Sequence, residues 1–302
     1  MLDVEKPHPE THPHPDLSDW IGQRERAHGC VTHHAALTIR ATLVGEGEEQ
    51  LGGDTMPHLW HWYAFPPTAS MDGLGADGHP KLGGFLPPVP LERRMWAGGI
   101  LEFFQPLKVG EPLERRSSIT NVVEKSGASG QMVFVTVQHD IFTDRGLCVR
   151  EQQDIVYLDI PERFNPPPAK PVPRATDDAV IVIDQTVPTS EPLLFRYSAI
   201  TFNAHRIHYD LPYAQAVEKY PGLVVHGPLQ AQLLMDAASK WAGKAPMRFK
   251  FRGVHPMFHQ NDLRLVGTQN VSEDTGTRKL TLCTALGDQH QGMQATAEWE
   301  ED

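Results

Sequence analysis

The segment from Pro161 to Asp178, PERFNPPPAKPVPRATDD, constrains the fold of this chain more than any other stretch. Proline lacks a backbone N–H and holds φ near roughly −65°, so neither a helix nor a central strand continues through such a run. The segment reads as a linker, and it divides the 302 residues near their middle. A chain of that length makes one large domain or two of ordinary size. The expected organisation is a leader at 1–16, a first unit at 17–160, the linker at 161–178 and a second unit at 179–302.

The two sides of the linker repeat one layout. On the C-terminal side, PYAQAVEKYPGLVVHGPLQAQLLMDAASKWAG places Tyr213, Val217 and Tyr220 at helical spacing, followed by a Pro-Gly turn and a second helix carrying Leu229, Leu233, Leu234 and Ala237. Strand character resumes in MRFKFRGV, LRLVGTQNV and RKLTLCTAL. On the N-terminal side, MPHLWHWYAFPP is a helix-like apolar cluster, and GILEFFQPL, ERRSSITNVVEK, MVFVTVQHDIF and REQQDIVYLDI follow as strands. Polar and apolar residues alternate in them, as half-buried antiparallel strands require. A helix buried against such strands is an α+β layer, here expected twice.

Composition narrows the function classes. A net charge of −11 opposes nucleic-acid binding, where affinity comes mainly from neutralising phosphates. The apolar fraction is 40% and the mean hydropathy −0.38. No apolar run spans a bilayer and no charged segment precedes an apolar one at the start, so no membrane partner and a cytoplasmic location are expected. Cys30, Cys148 and Cys283 show no paired spacing, which suggests neither a disulfide framework nor a zinc knuckle. The tract PHPETHPHPD, Pro7 to Asp16, is read as a flexible leader rather than a metal site, because prolines separate its histidines.

Chemistry concentrates in FNAHRIHYD, Phe202 to Asp210, and in VVHGP, Val224 to Pro228. Phe195, Tyr197 and Ala199 alternate into the first stretch as a strand would, while Pro212 and Tyr213 open a helix, which makes the stretch a strand-to-helix connection. A lone histidine in a loop is ordinarily just polar. His205 and His208 together with Asn203, Asp210 and a His-Gly helix start point to acid/base work. Gly227 lets backbone approach a ligand, and its N–H falls at a helix N-terminus, where free donors and the dipole favour an enolate oxygen. His205 and His208 are the only metal-spaced pair in the motif, with no further set to complete it, so no metal is expected.

FRYSAITFNAHRIHYDLPYAQAVEKYPGLVVHGPLQAQLL resembles the hydratase segment of MaoC-like hot-dog enzymes, which add water to acyl thioesters or remove it. Their motif reads D-x-N-P-x-H, followed by a His-Gly whose glycine amide helps bind the thioester oxygen. Here the family histidine falls on His208 and the His-Gly on His226 and Gly227, while the family aspartate falls on Asn203 and the family asparagine on His205. An amide cannot act as the base. GGDTMPHLWHWYAFPP, LPPVPLERRMWAGG and FRGVHPMF are similar to one branch, the mesaconyl-C4-CoA (3-methylfumaryl-CoA) hydratases, with itaconyl-CoA hydratases and mitochondrial-type 3-hydroxyacyl-thioester dehydratases as relatives. The likeness runs from about Asp19 to the C-terminus and implies a double hot dog, each unit an antiparallel sheet around a central helix.

The resemblance implies a hydro-lyase acting on an acyl-CoA with no separate cofactor, coenzyme A being part of the substrate. His208 is assigned the acid/base role, Gly227 the enolate oxygen and Asn203 the water, with His205 or Asp210 orienting His208. A methyl-branched dicarboxylic thioester keeps one free carboxylate, for which Arg93, Arg94 and Arg206 are the candidate partners. Arg252 is expected to face the coenzyme A phosphates. The first half, with Trp60, Trp62, Tyr63 and Phe65, is expected to have lost its catalytic set and to wall the acyl pocket, His61 being the residue there that could still reach substrate. Loss of the aspartate keeps a non-catalytic acyl-thioester binding module open as a different class, and a carrier-protein dehydratase or a thioesterase within the enzyme class. A homodimer is left open.

Overall fold

A computed structural model describes residues 16–43, 55–127, 130–270 and 277–300. Almost all of the expected leader, 1–15, lies outside the described residues. Ten strands form one antiparallel sheet: β1 (Arg24–Gly29), β2 (Arg93–Phe103), β3 (Leu113–Gly127), β4 (Gly130–Thr143), β5 (Gly146–Leu158), β6 (Ala179–Val187), β7 (Arg248–Gly253), β8 (Leu263–Asn270), β9 (Thr277–Leu286) and β10 (His290–Glu300). Their order is β1-β3-β4-β5-β2-β7-β10-β9-β8-β6. Each half therefore lays down its first strand at an outer edge, crosses a helical layer, and returns with its second strand at the centre. The two five-strand halves have the same topology and meet at β2 and β7.

That central seam depends on glycine. Gly98 pairs with Arg252 across it beside a register shift at Trp96, and a Cβ on Gly98 would lie 2.5 Å from the carbonyl oxygen of Phe251. No side chain fits so close to backbone, so WAGG is the stretch that lets the two units share a sheet. In β4 the alternation reads directly as burial, with Val133, Val135 and Val137 all inward at 1% exposure or less.

The helices are α1 (His33–Leu43), α2 (Glu191–Thr201), α3 (Leu211–Ala216) and α4 (Gly227–Ala242). Helix α4 begins with Pro228 in its first turn and stops at Gly243, whose φ of 72° only glycine adopts readily. Leu229 and Leu234, fully buried, each stabilise it by about 2 kcal/mol through apolar burial. It packs on β2 and on every strand of the second half, the central helix of a hot dog.

Several local expectations change. The stretch FRYSAI is helix, not strand: Ser190 caps α2 by accepting from the Leu193 N–H at 3.3 Å, and Pro192 stands in its first turn. Helical propensity and a good cap outweighed a short alternation. MPHLWHWYAFPP forms only a 3-10 turn, Trp60–Tyr63, entered through Leu59 at φ 70°, so the expected central helix of the first unit is absent among the described residues there. Its place against the sheet is taken by this aromatic turn and by irregular chain up to β2. The linker carries no helix or strand between Leu158 and Ala179, and it packs: Val172 is buried against Val266, Cys283 and Ala285, and Lys170 and Pro171 accept hydrogen bonds from Gln291.

Candidate active site

The motif lies where α2 hands over to α3. Phe202 turns the chain at φ 51°, and Asn203 accepts the His205 N–H at 3.0 Å, which tightens the turn before a single 3-10 turn at Arg206–His208. His208 is buried at 7% exposure, and its Nδ1 donates to the Val224 carbonyl at 2.7 Å. That bond fixes the tautomer and leaves Nε2 as an acceptor. His208 stacks on His226 with ring centroids 3.6 Å apart, and His226 meets the Ser198 hydroxyl at 2.8 Å through Nε2. His226 Nδ1 is buried with no partner among the described residues. Gly227 follows as the first residue of α4, so its amide stands at the helix N-terminus as expected.

His205 takes a different place. Its Nε2 meets Glu218 at 3.0 Å, and the other Glu218 oxygen accepts from Arg93 Nε at 3.2 Å. Arg93 Nη2 also donates to the Glu218 backbone carbonyl, and the guanidinium lies 4.5 Å over the Tyr220 ring. Against the expectation that Arg93 clamps substrate, it is buried and committed to Glu218. Arg206 and Asp210 are likewise committed to each other, at 2.7 Å, and Asp210 also caps α3 by accepting the Tyr213 N–H. The Arg206 hydrogen bond holds the Asp210 carboxyl below its ordinary range. Asp210 therefore does not orient His208, and Arg206 is not a free cation for substrate. Arg94 reaches the Pro80 carbonyl at 3.4 Å, and Arg252 stands exposed on β7.

A cavity of about 640 Å³ opens between the halves. From the second half it is lined by Tyr197, Ser198, Asn203, Ala204 and Pro228; His226 is not part of this lining but bonds the Ser198 hydroxyl, and His208 stacks on His226. From the first half it is lined by Trp62, Phe65 and Trp96, as an acyl wall requires, and also by His61, His79, Arg115 and Glu151. Trp62 donates to Glu151 at 3.0 Å and meets Trp96 edge to face at 5.0 Å. His61 lies 3.0 Å from the same buried carboxylate. Burial pushes the Glu151 carboxyl up, and the hydrogen bonds from His61 and Trp62 together with the charges of His61 and His139 more than offset it.

His79, Asp77, Glu218 and Arg115 were not singled out from the sequence. The signal for the first two was present in ADGHP: an aspartate two residues before a histidine across a glycine is an Asx-turn pattern. The Asp77 Oδ1 does accept the His79 N–H at 3.0 Å, and its Oδ2 meets His79 Nδ1 at 2.7 Å. Asp77, His79 and His205 bring donor atoms within 4.8 Å of one another, yet both Asp77 oxygens are engaged by His79, and His205 is engaged by Glu218.

Burial holds several of these imidazoles neutral. It lowers His79 and His58 to about 4 and His226 to about 3, and takes His208 well below the ordinary value. In the unfolded chain each titrates near about 6.5, so the unfolded state binds more protons below that pH. Stability is therefore expected to be full above about pH 6.5 and to fall steadily towards pH 4. Melting temperatures at pH 7.5, 6.0 and 5.0 would check this, and equal values at all three would contradict it.

The family model for hydroxyacyl-thioester dehydratase type 2 matches residues 59–259. The chain is 44% identical over 255 residues to the mesaconyl-C(4)-CoA hydratase of Chloroflexus aurantiacus, covering 84% of this chain and 90% of that protein. It is 29% identical over 233 residues to the mitochondrial hydroxyacyl-thioester dehydratase type 2 of Schizosaccharomyces pombe, covering 68% and 75%. Among solved structures, a MaoC-like dehydratase aligns over 95% of this chain and all of its own at a TM-score of 0.64 and 14% identity. A Mycobacterium tuberculosis protein described as having a double hot-dog fold covers 93% of this chain and 96% of its own at 0.56 and 13%. With the motif turn, the helix-start glycine and the two five-strand halves of one sheet in place, the chain belongs to the hydroxyacyl-thioester dehydratase type 2 family of MaoC-like double hot-dog proteins.

Proposed function

We propose that this protein is a hydratase that adds water to the double bond of mesaconyl-C4-CoA to give citramalyl-CoA. One observation carries the reading: a single cavity has the motif turn and the start of α4 on one side and an arginine with an uncommitted donor on another. The thioester oxygen gathers charge as water attacks, and the Gly227 amide at the helix N-terminus is suited to stabilise it. His208 Nε2 accepts a hydrogen bond from the water, and the Asn203 amide holds it from the cavity wall. The reaction moves no electrons to an acceptor, so no redox cofactor is required, and coenzyme A enters as part of the substrate.

The substrate's free carboxylate needs a cation, and Arg115 meets that need better than Arg93 or Arg206. It lines the cavity, it lies 5.0 Å over the Phe65 ring, and its Nε is buried with no hydrogen-bond partner among the described residues. Its Nη2 reaches Glu25 at 3.2 Å, which holds the guanidinium in place. A hydrogen bond between charged groups contributes about 1.5–3 kcal/mol, so Arg115→Gln is expected to lower kcat/KM for mesaconyl-C4-CoA by about 10- to 100-fold. It should matter far less for crotonyl-CoA, which has no carboxylate. Equal losses on both substrates would remove Arg115 from carboxylate recognition. Mass spectrometry of the products distinguishes hydration from its alternatives: free thiol would mean a thioesterase, and binding without solvent oxygen in the product would mean a binding module.

A further inference from the structure

We propose that His79, oriented by Asp77, carries the proton in this reaction, in place of the aspartate of the D-x-N-P-x-H motif that this segment resembles, a position where Asn203 offers no base. The proposal rests on the hydratase reading above. Three independent features of the loop lead to it.

The first is position. The loop is pressed onto the motif from the other half of the molecule: the Arg206 N–H donates to the Asp77 carbonyl at 2.9 Å, and Gly78, at φ 91°, sits so close that a Cβ would lie 1.9 Å from the Ala204 carbonyl oxygen. Only glycine permits that approach. His79 is thereby set in the cavity wall beside Asn203 and Ala204, with its ring centroid 4.1 Å from that of His205.

The second is the state of the ring. The 2.7 Å bond from Nδ1 to the Asp77 carboxylate assigns the proton to Nδ1 and leaves the Nε2 lone pair free to act as a base. A carboxylate behind a histidine fixes its tautomer and stabilises the imidazolium that forms, and at His79 it offsets part of the burial that lowers the ring to about 4.

The third is a comparison with the other histidines near the motif. A proton carrier passes through a cation, and a buried cation needs a counter-charge. His208 faces His226 at 3.6 Å, and its Nδ1 is bound to a carbonyl rather than a carboxylate. His205 has Glu218, but that carboxylate is already shared with Arg93, and His205 is not part of the cavity wall. His79 alone among these three pairs a carboxylate with a place on the wall.

The step balances without any further reagent. His79 Nε2 takes one proton from water as the oxygen bonds to the β-carbon, and the electron pair of the double bond moves onto the thioester oxygen as an enolate. The enolate collapses as the imidazolium, opposite Asp77, delivers the proton to the α-carbon. His208 stays neutral and holds the water. The proton carrier is thus relocated to the first half, which the sequence alone read as an acyl wall with His61 as the one residue that could still reach substrate.

The test compares wild type with His79→Ala, His79→Gln and Asp77→Asn on mesaconyl-C4-CoA, itaconyl-CoA and crotonyl-CoA. On whichever substrate wild type hydrates best, His79→Ala is expected to lose at least about a hundredfold in kcat with KM within about threefold. Added imidazole should restore part of the His79→Ala rate, rising with the unprotonated imidazole concentration, and none of the His79→Gln rate. Asp77→Asn is expected to lose about tenfold or more. A His79→Ala protein that melts normally and keeps kcat within threefold overturns the proposal. So does a loss that imidazole leaves unchanged, which would mark a structural role. So does a stoichiometric metal ion in wild type that His79→Ala lacks. Activity on another substrate but not on mesaconyl-C4-CoA would overturn only the substrate reading, because the His79 comparison is then made on that substrate. Independently of turnover, the His79 N–H bound to Asp77 should give a downfield proton resonance that is absent from His79→Ala and Asp77→Asn, and its absence from wild type would count against the pair.

Discussion

A His208→Ala enzyme is expected to hydrate mesaconyl-C4-CoA at least about a hundredfold more slowly than wild type, while remaining folded. Two contacts made by this side chain give the expectation its size. Its Nδ1–H holds the Val224 carbonyl, and its ring stacks on His226, the residue that caps the start of α4 and so sets the Gly227 amide. Removing the ring takes away the acceptor for water and loosens the donor for the enolate oxygen together. Loss of a single such donor costs about 10²–10³ in rate in other enzymes. Burial first, and then the neighbouring His226 and His205, keep His208 neutral well below the ordinary histidine range. The kcat of wild type should therefore show no acid limb near pH 6.5, because the acceptor is unprotonated on both sides of it. The measurement is kcat from pH 8 to pH 5 for both proteins, with melting temperature as the folding control. A folded His208→Ala protein within threefold of wild type would remove His208 from the site.

Glu218→Ala is expected to cost about 3–5 kcal/mol of folding stability, the usual result of removing one partner from a buried ion pair. The Glu218 and Arg93 side chains are 2% and 7% exposed, so the guanidinium would be left inside the protein without its counter-charge. His205 would lose its partner as well, and the Arg93 guanidinium would be left over the Tyr220 ring. Because the carboxylate ties β2 of the first half to the α3–α4 connection of the second, the loss falls on the joint between the halves. Arg93→Met/Glu218→Met, which removes both charges at similar volume, is expected to recover much of that loss. Denaturant unfolding of the three proteins separates the cases. A Glu218→Ala change below about 1 kcal/mol would mean that the pair is solvated in the native state.

Both variants touch residues whose roles were unequally legible. The turn 202–210, the His-Gly start of α4 and the alternation of β4 are local patterns. Hydrogen-bonding distance along the chain and the periods of helix and strand are enough to read them, and their order agrees with the double hot dog that the resemblance to MaoC-like enzymes implies. The first unit's missing helix was harder to see: an apolar cluster such as HLWHWYAF satisfies a helix or a packed turn equally, and the decision fell to Leu59 in a left-handed conformation and to the Trp62 bond with Glu151. FRYSAI was misread for the same reason, since six residues carry too little period to outweigh a capped helix start.

What the sequence determined by itself was the fold class, the repeat and the chemical class of the motif, because each follows from neighbours within a few turns of chain. What the tertiary structure decided was which charged groups are free. Arg93 lies 125 residues from Glu218, and the Asp77 carbonyl meets Arg206 from across the molecule. An arginine reads as available until the carboxylate that closes over it is known, and Asn203 reads as a defect until a histidine from the other half is set beside it. Availability of a charge is a property of burial and pairing, and those are made by contacts between residues that no local spacing relates.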